Sequence, residues 1–331
     1  MTVDSITNVK ESLLDGSSIR LDADEQYIVA SLAESLAHIP PALVDDAEWL
    51  ARARASSCRL PTRVAQTIRR YRHDSGIDGM LEITNLPLDV SSLPPTPSCR
   101  DSVERDASEP AAVAIMIAQQ LGEIVAYRDE KMGALVQNVV PVASLARSQS
   151  NGGSVPLKLH TENAFHPYRP DYVGLLCLRP AEESTVGTQI ASVRNALPLL
   201  DERHTSVLHQ ARFVTTAPPS FRRAGDVEPH SVLGGAPDDP DIRVDFNATS
   251  GMDQDARAAL HRLHQALTEA SSELVLRPGD MVFLDNRLVV HGRSAFTPRY
   301  DGNDRWLHRV FVHLDTRRSR PARPANGPVL V

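Results

Sequence analysis

The sequence has few cysteines, no excess of positive charge and no long apolar run, and each of these absences narrows the possible functions. Its three cysteines, Cys58, Cys99 and Cys177, are odd in number and far apart. This spacing argues against a disulfide framework or a cysteine zinc site, and it is typical of reduced, mostly buried thiols. The formal net charge of -7 disfavours nucleic acid as a partner, because phosphate binding needs clustered cations.

No hydrophobic run approaches the length of a membrane span. Residues 1–16 are polar and contain acids, so we do not expect them to be a secretory signal. The sequence therefore predicts a cytoplasmic protein that binds neither a membrane nor nucleic acid. It gives no indication of the oligomeric state.

Hydrophobic residues make up 41% of the 331-residue chain, enough for a sizeable core. Residues 1–20 are predicted to form a flexible arm. Asp22 and Glu25 then form a plausible capping box, which starts a series of helices over 22–72. These helices are expected to pack on the outside of a core that follows.

Many short strands come next, and only one strong helix, roughly 253–271, interrupts them. Strands and helices do not alternate regularly, as a doubly wound sheet would require. The pattern predicts a mainly β fold, a double-stranded β-helix (jelly roll) with flanking helices. We expect one domain over 21–331 with its jelly-roll core at about 75–318. The predicted strands are 80–83, 134–140, 171–178, 188–193, 211–216, 242–246, 274–276, 281–283 and 307–314.

Two long loops are candidate lids. Residues 91–109 contain Pro94, Pro95 and Pro97 followed by a charged run. This composition predicts a loop that is either an irregular connection or a cover over a site. Residues 220–235 form the second candidate.

The alternating apolar run 157–165 carries an imidazole and a carboxylate two residues apart. On a strand, His160 and Glu162 point to the same side while Thr161 turns away. A third ligand, His291, ends an apolar run near the C-terminus. Together the three would form the 2-His-1-carboxylate facial triad that suits Fe(II) and leaves coordination positions open. Each residue alone is weak evidence, because most such residues are simply polar positions on a strand.

Three open positions on iron are enough for a 2-oxo acid and dioxygen, and the acid's far carboxylate would need a cation. Arg305 and Arg309 lie just beyond His291 and are spaced by four, so on a strand they point to one face. An arginine that points into an apolar core is costly unless it meets an anion. The alternative is two surface arginines on an edge strand.

Several motifs resemble the clavaminate synthase-like Fe(II)/2-oxoglutarate oxygenases, and within them the free-amino-acid hydroxylases of peptide-antibiotic pathways. The resemblance covers about 45–323. The motifs that carry it include His160-Thr161-Glu162, Asp285-Asn286-Arg287, His291-Gly292-Arg293, Arg305…Arg309, Leu93-Pro94-Pro95-Thr96-Pro97 and Phe296-Thr297-Pro298-Arg299-Tyr300-Asp301-Gly302.

The resemblance implies the cofactors Fe(II), 2-oxoglutarate and O2. His160, Glu162 and His291 would be the iron ligands. Arg305 would bind the carboxylate of 2-oxoglutarate, and Thr188 lies where the family often has a threonine that binds it as well.

The resemblance also implies an amino-acid site. Arg309 would bind the α-carboxylate of a free L-amino acid, and Gln137 and Glu130 would receive its α-ammonium. The remaining side chains expected around the substrate are Ser150, Asn151, Asp245 and Asn247.

Asp245 and Asn247 bear on which amino acid is the substrate. Asp245 can accept N–H groups from an amide, a urea or a guanidinium. The arginine hydroxylase pattern has a second acid where this chain has Asn247, which favours a neutral amide or ureido side chain. The asparagine hydroxylase pattern has a small apolar residue there, so Asn247 also weakens that assignment. Asn247 is equally well explained as turn chemistry.

The expected reaction is hydroxylation of a free L-amino acid with a polar side chain, with Cβ of asparagine as the leading target. Arginine or citrulline hydroxylation, and desaturation or ring formation on the same fold, remain alternatives. A cupin-like binding protein and a zinc hydrolase are more remote. Asp285 and His308 are expected to be structural, with His308 facing away from Arg305 and Arg309.

Overall fold

The computed structural model describes residues 18–182, 186–221 and 228–331. Helices and short strands alternate irregularly in these ranges, as the sequence predicts. The α-helices are α1 (Ala23–Ala37), α2 (Ala47–Ser57), α3 (Thr62–His73), α4 (Glu109–Ala118), α5 (Val193–Ala196), α6 (Glu202–Leu208) and α7 (Gln254–Glu269). The strands up to the middle of the chain are β1 (Ser18–Arg20), β2 (Met80–Thr84), β3 (Val103–Glu104), β4 (Glu123–Tyr127), β5 (Val136–Val139), β6 (Leu157–His160), β7 (Tyr172–Arg179) and β8 (Thr188–Ser192). The later strands are β9 (Phe213–Thr215), β10 (Leu233–Ala236), β11 (Asp239–Ile242), β12 (Thr249–Gly251), β13 (Ser272–Leu274), β14 (Met281–Asp285), β15 (Val289–Arg293), β16 (Trp306–His313) and β17 (Val329–Leu330).

Side-chain caps begin the longer helices. The capping box predicted at the start of α1 is present, because Asp22 accepts the backbone N–H of Glu25 and the Glu25 carboxylate accepts that of Asp22. Asp46 caps α2 by accepting the backbone N–H of Trp49, and Asp253 caps α7 by accepting that of Ala256. Each cap satisfies a backbone donor that the helix itself leaves unpaired.

Two sheets form the centre of the fold. The larger runs β1-β2-β14-β7-β16, and β16 pairs further with both β4 and β5. The smaller has the order β13-β8-β15-β6. A hydrophobic cluster lies between the two sheets and contains Leu175 and Phe311 from the larger sheet and Ile190 and Val289 from the smaller one. This is the arrangement of a double-stranded β-helix.

Helices α1–α4 cover the other face of the larger sheet. Leu32, Trp49, Ile68 and Ile115 of these helices belong to one hydrophobic cluster with Phe283 of β14. The larger sheet is thus buried on both faces, which explains why its central strands are almost continuously apolar.

The side chains of strand β16 alternate between the two faces of the larger sheet. Trp306 and Val310 belong to the helix-side cluster, and Leu307 and Phe311 to the cluster between the sheets. Arg305 and Arg309 each lie two residues from Leu307, so their side chains point to the same face as that of Leu307, between the two sheets. His308 points to the helix side, as predicted.

The structure corrects the predictions made from the sequence in three places. Residues 18–20 are not part of a flexible arm: they form β1, which pairs in parallel with β2 and buries Ile19. Residues 1–17 lie outside the described ranges. The strand predicted at 242–246 ends at Ile242, because the chain then turns at Asp245. Strands β3, β4, β10, β12 and β17 and the short helices α5 and α6 were not predicted.

The segment 91–108 is a loop in which β3 is the only strand. Its Thr96 hydroxyl donates to the carbonyl of Asp304 at 2.7 Å, which fastens it next to the start of β16. Its role as a lid stays a prediction. The second candidate lid, 220–235, includes residues outside the described ranges. The division into one domain over 21–331 also stays a prediction. Within the described ranges, no helix combines the length and the apolar character needed to cross a bilayer.

Gly174 lies in β7 at a point where the packing leaves no space for a side chain. A Cβ there would lie 2.7 Å from the ring of Phe283 and 2.9 Å from Val310. We expect Gly174→Ala to lower the free energy of unfolding by about 1–3 kcal/mol, measured by urea denaturation. Gly234→Ala in β10 is the matched control, because the nearest atom to its Cβ is 4.0 Å away. Equal urea midpoints for the two variants would contradict this packing.

Candidate active site

Strands β6 and β15 bring the three predicted metal ligands together. His160 ends β6 and pairs directly with His291 of β15, and their rings are 4.5 Å apart between centroids. Glu162 follows two residues later, and its Oε2 lies 3.6 Å from Nε2 of His291. One ligand atom from each of the three side chains lies within 4.8 Å of the other two. The group can therefore hold one metal ion.

The protonation of these side chains suits a metal. Nδ1 of His160 lies 2.9 Å from the carbonyl of Lys158, so it carries the proton and leaves the Nε2 lone pair for a metal. Burial lowers the pKa of His291, which favours its neutral form. Burial alone would raise the pKa of Glu162, but Arg309 and the two histidines outweigh it and hold that pKa below its usual range. Two imidazoles and one carboxylate form a donor set that fits Fe(II) and leaves three positions open.

Asn286 holds the backbone of Glu162 in place. Its side-chain oxygen accepts the Glu162 N–H at 2.6 Å, and its amide N–H groups donate to the carbonyls of Glu162 at 3.1 Å and Pro170 at 2.9 Å. Next to it, the buried Asp285 accepts hydrogen bonds from Ser75 and Arg287. The turn between β14 and β15 therefore positions Glu162 and is itself attached to the segment after α3.

Arg309 forms the second part of the site. Its side chain is 2% exposed, and it donates to Glu162 at 3.0 Å, to Glu130 and to Gln137. Burial raises the pKa of the Glu130 carboxyl, and Arg309 opposes this rise. With its amide oxygen turned towards Arg309, Asn151 accepts from Nη1 at 2.6 Å. One buried cation thus gathers four oxygen acceptors beside the metal ligands.

Gln137 accepts from Arg309 through its Oε1, and its buried Nε2 has no protein partner in the described residues. Buried polar groups normally find a partner, so this atom indicates where a polar ligand completes the site. The buried hydroxyl of Ser150 also lacks a partner among the described residues, but no contact joins it to the Arg309 cluster.

The opposite end of the cavity carries positive charge. Thr188, Arg293 and Arg305 line one cavity together with Arg309 and His291. Burial lowers the pKa of Arg305, and burial followed by the proximity of Arg305 lowers that of Arg293 to about 9. Cations at this end suit the far carboxylate of a 2-oxo diacid.

Asp245 and Asn247 are placed differently from each other. Asp245 is half-buried and forms an isolated antiparallel β-bridge with His160. It therefore lies next to one of the predicted metal ligands. Asn247 is exposed, and its backbone N–H donates to the Asp245 carboxylate at 2.7 Å. Asn247 therefore takes part in a turn, which was one of its two predicted explanations.

A buried network supports the Asp245 turn from behind. The Asp245 N–H donates to Oγ1 of Thr249 at 2.9 Å, and Thr249 contacts Thr215 at 2.8 Å. The Thr215 hydroxyl lies 2.8 Å from Nε2 of His230, whose Nδ1 is 2.9 Å from the carbonyl of Ser231. Burial lowers the pKa of His230 to about 4, so the ring is neutral at pH 7 and can accept from Thr215.

Sequence reasoning included Asn286 and Arg293 in the family motifs but assigned neither a role in the site. Asn286 is distant from Glu162 in sequence, and only the folded sheets reveal its contact. Arg293 could have been found, because it lies two residues after His291 on the same strand and so shares its face.

Comparison with known proteins is consistent with this geometry. Residues 110–311 match a family model described as Taurine catabolism dioxygenase TauD, TfdA family. The chain belongs to this family.

The chain is 45% identical to L-asparagine oxygenase of Streptomyces coelicolor, over 94% of each chain. It is 32% identical to clavaminate synthase 2 of Streptomyces clavuligerus, over 86% of this chain and 89% of that one. A crystal structure of asparagine oxygenase with Fe(II), 2S,3S-3-hydroxyasparagine and succinate superposes with a TM-score of 0.92, at 44% identity over 95% of this chain and 98% of the other.

The protein is therefore an Fe(II)/2-oxoglutarate-dependent oxygenase with the clavaminate synthase-like fold. The predicted family, the double-stranded β-helix and the cofactors Fe(II), 2-oxoglutarate and O2 are confirmed. The cupin-like binding protein and the zinc hydrolase are no longer needed as alternatives. The roles of individual residues of the oxygenase stay predictions that its geometry supports.

When iron and 2-oxoglutarate are bound, O2 is the oxidant: one oxygen atom goes into the succinate that forms as CO2 is lost, and the other is available for a C–H bond. The contribution of this chain is to position the reactants. His160, Glu162 and His291 would hold the metal on one side, Arg305 would bind the far carboxylate of the cosubstrate, and Arg309 would bind the substrate. Closely packed strands on both sides limit the access of water.

Replacing Asn286 should loosen Glu162 without removing a ligand. We expect Asn286→Ala to weaken binding of Fe(II), or of Co(II) as a spectroscopic probe, by about 10–100-fold, because partners that orient a ligand are worth this much. Asn286→Asp keeps the acceptor but not the donors and should show a smaller loss. The metal dissociation constant is measured by titration under anaerobic conditions. An unchanged constant in a folded Asn286→Ala protein would show that Glu162 needs no such support.

His230 should make the oxygenase less stable in acid. The unfolded chain takes up a proton near pH 6.5, whereas folded His230 takes one up only near pH 4. Stability is therefore lost as the pH falls through this window, by at most about 1.4 kcal/mol per pH unit from this residue. We expect His230→Asn to be less stable at pH 7.5 but to lose less on acidification to pH 5, measured by urea denaturation. Equal losses in the two proteins would mean that His230 can be protonated in the folded state.

Proposed function

We propose that the protein hydroxylates free L-asparagine at Cβ, with 2-oxoglutarate as cosubstrate, in a specialised peptide or antibiotic pathway. The observation that carries this proposal is Arg309. Its guanidinium is buried beside the metal ligand Glu162 and also contacts Glu130 and Gln137. A free amino acid offers a carboxylate for the cation and an ammonium for the acid.

The position of Arg309 supports attack near the backbone of the substrate. Its Nη1 lies 3.0 Å from Oε1 of Glu162, so a carboxylate bound to this guanidinium sits close to the metal. The first carbons of the substrate side chain then come nearest to the metal. Regiochemistry in such a site follows from which carbon is held closest.

The need for an α-carboxylate also supports a free amino acid over one bound to a carrier protein. A carrier thioester has no carboxylate to bind to Arg309, so this contact with the substrate would be lost. Glu130 provides the matching acceptor for an α-ammonium, which an amide-bonded residue would lack.

The preference for asparagine is supported by Asp245 and by the relatives. Asp245 borders the metal ligands and can accept the N–H groups of a side-chain amide. Both the asparagine oxygenase sequence and its structure match almost the whole chain. An L-lysine 3-hydroxylase of Catenulispora acidiphila is 35% identical, so amino acids with longer side chains must be tested as well.

The test is coupled turnover with a panel of substrates. Enzyme is reconstituted anaerobically with Fe(II) and 2-oxoglutarate and then exposed to air with each common L-amino acid and with citrulline. We expect succinate and a product heavier by one oxygen atom with asparagine, and little of either with N-acetylasparagine or asparagine amide. A product lighter by two hydrogens would indicate desaturation. Turnover of arginine or citrulline instead of asparagine would move the assignment to a longer substrate.

Asp245 and Asn247 provide a matched pair of variants. We expect Asp245→Ala to raise the KM for asparagine by about tenfold or more, because it removes a charged acceptor of the side-chain amide. Asn247→Ala should change the KM less than about twofold, since Asn247 is exposed and contributes a backbone N–H that alanine keeps. Similar KM values for the two variants would remove Asp245 from the substrate site.

A further inference from the structure

Two buried guanidinium groups, not one, line the cosubstrate end of the cavity. Arg293 of β15 is 5% exposed and Arg305, just before β16, is 8% exposed. Both line the same cavity as Thr188, which lies directly opposite Arg293 in the pairing of β8 with β15. In the described ranges neither arginine forms an ion pair with a carboxylate. Burying two cations side by side is costly unless an anion lies between them.

The two arginines keep most of their donors for a ligand. Arg305 forms no side-chain hydrogen bond with the described residues. Arg293 uses two of its N–H groups, on the carbonyls of Asn151 at 3.4 Å and Val155 at 3.1 Å. Its buried Nε has no partner in the described part of the chain. A planar guanidinium with free N–H groups on one edge matches a carboxylate.

The position of Arg293 along its strand fits the length of the cosubstrate. It follows the metal ligand His291 by two residues and points to the same face of β15. Two residues of a strand span roughly 6.5 Å, which is about the length of a five-carbon diacid whose other end binds the metal. Arg293 and Arg305 therefore approach the far carboxylate from the two sheets.

Arg293 also contacts the amino-acid site. The residue whose carbonyl it binds, Asn151, directs its side-chain amide at Nη1 of Arg309, 2.6 Å away. A continuous set of contacts thus leads from the cosubstrate end of the cavity through Arg293 and Asn151 to the predicted α-carboxylate ligand.

We propose that Arg293 is a second ligand of the distal carboxylate of 2-oxoglutarate, together with Arg305, and that it positions Asn151 for the amino acid. Binding of the cosubstrate fixes the Arg293 side chain, and this side chain holds the segment 151–155 in the form that Arg309 needs. The role of Arg293 as a ligand of 2-oxoglutarate rests only on the cosubstrate. Its role in positioning Asn151 for the amino acid rests on the proposed function.

The test compares Arg293→Met, which removes charge and donors, with Arg293→Lys, which keeps a charge but cannot hold both carbonyls. Arg179→Met is the control, because Arg179 also donates to two backbone carbonyls, of Gly302 and Pro94, but does not line the cavity. Binding of 2-oxoglutarate is measured first by calorimetry on Mn(II)-loaded enzyme without any amino acid. The KM for asparagine is measured separately.

We expect Arg293→Met to weaken 2-oxoglutarate binding by about tenfold or more, the effect of losing a charged hydrogen bond. Arg293→Lys should bind 2-oxoglutarate within about threefold of the parent but show a raised KM for asparagine, because the carbonyl contacts to 151–155 are lost. Arg179→Met should change neither value. Thermal melting confirms that each variant is folded, and Arg293→Gln replaces Arg293→Met if that variant does not fold.

Unchanged 2-oxoglutarate binding in a folded Arg293→Met or Arg293→Gln protein would overturn the role as a ligand. An unchanged asparagine KM in Arg293→Lys would overturn the link through Asn151. If the parent enzyme does not turn over asparagine, the calorimetric comparison still decides the first half of the proposal. The second half is then decided with whichever amino acid the enzyme accepts.

Discussion

The contact between the guanidinium of Arg309 and the carboxylate of Glu162 is the interaction on which the site depends. Arg309 projects from the larger sheet, and Glu162 follows the edge strand of the smaller one, so the ion pair joins the two halves of the β-helix. Both side chains are almost fully buried, and either one alone would be an uncompensated charge in an apolar core. The same contact places the cation predicted to bind the substrate next to a predicted metal ligand.

The arrangement of the other charged side chains in the site can be understood as a balance of positive and negative charge within one cavity. Glu162 and Glu130 surround Arg309 at one end, and Arg293 and Arg305 lie at the other with Thr188. Glu162 and His291, two of the predicted metal ligands, line the same cavity. The first end has the charges that a zwitterionic amino acid would need, and the second has those that a dicarboxylate would need.

Much of this could be predicted because it depends on strand periodicity. The spacing of four puts Arg305 and Arg309 on one face, as strand periodicity predicts. Glu162 was predicted beside His160 on the same basis, but it lies in the turn that follows β6. The approach of His291 to His160 depends on pairing between strands that are distant in sequence; the need for a third ligand and the family motifs indicated it, and no local period did. The contacts of Asn286 with Glu162 and of Asn151 with Arg309 depend on side-chain direction in loops, for which the sequence has no periodic signal. The turn at Asp245 replaced a predicted strand for the same reason, since a local side-chain hydrogen bond competes with the ladder.

The turn that carries Asn286 has a further consequence. Through Asp285 it is bonded to Ser75, which lies just after the last of the helices that start the chain, and through Asn286 it fixes the backbone of an iron ligand. The helical half of the molecule contributes no ligand, yet it forms part of the frame that keeps the ligands aligned. A change around Ser75 can therefore reach the backbone of Glu162 through Asp285 and Asn286 without altering a residue that lines the cavity.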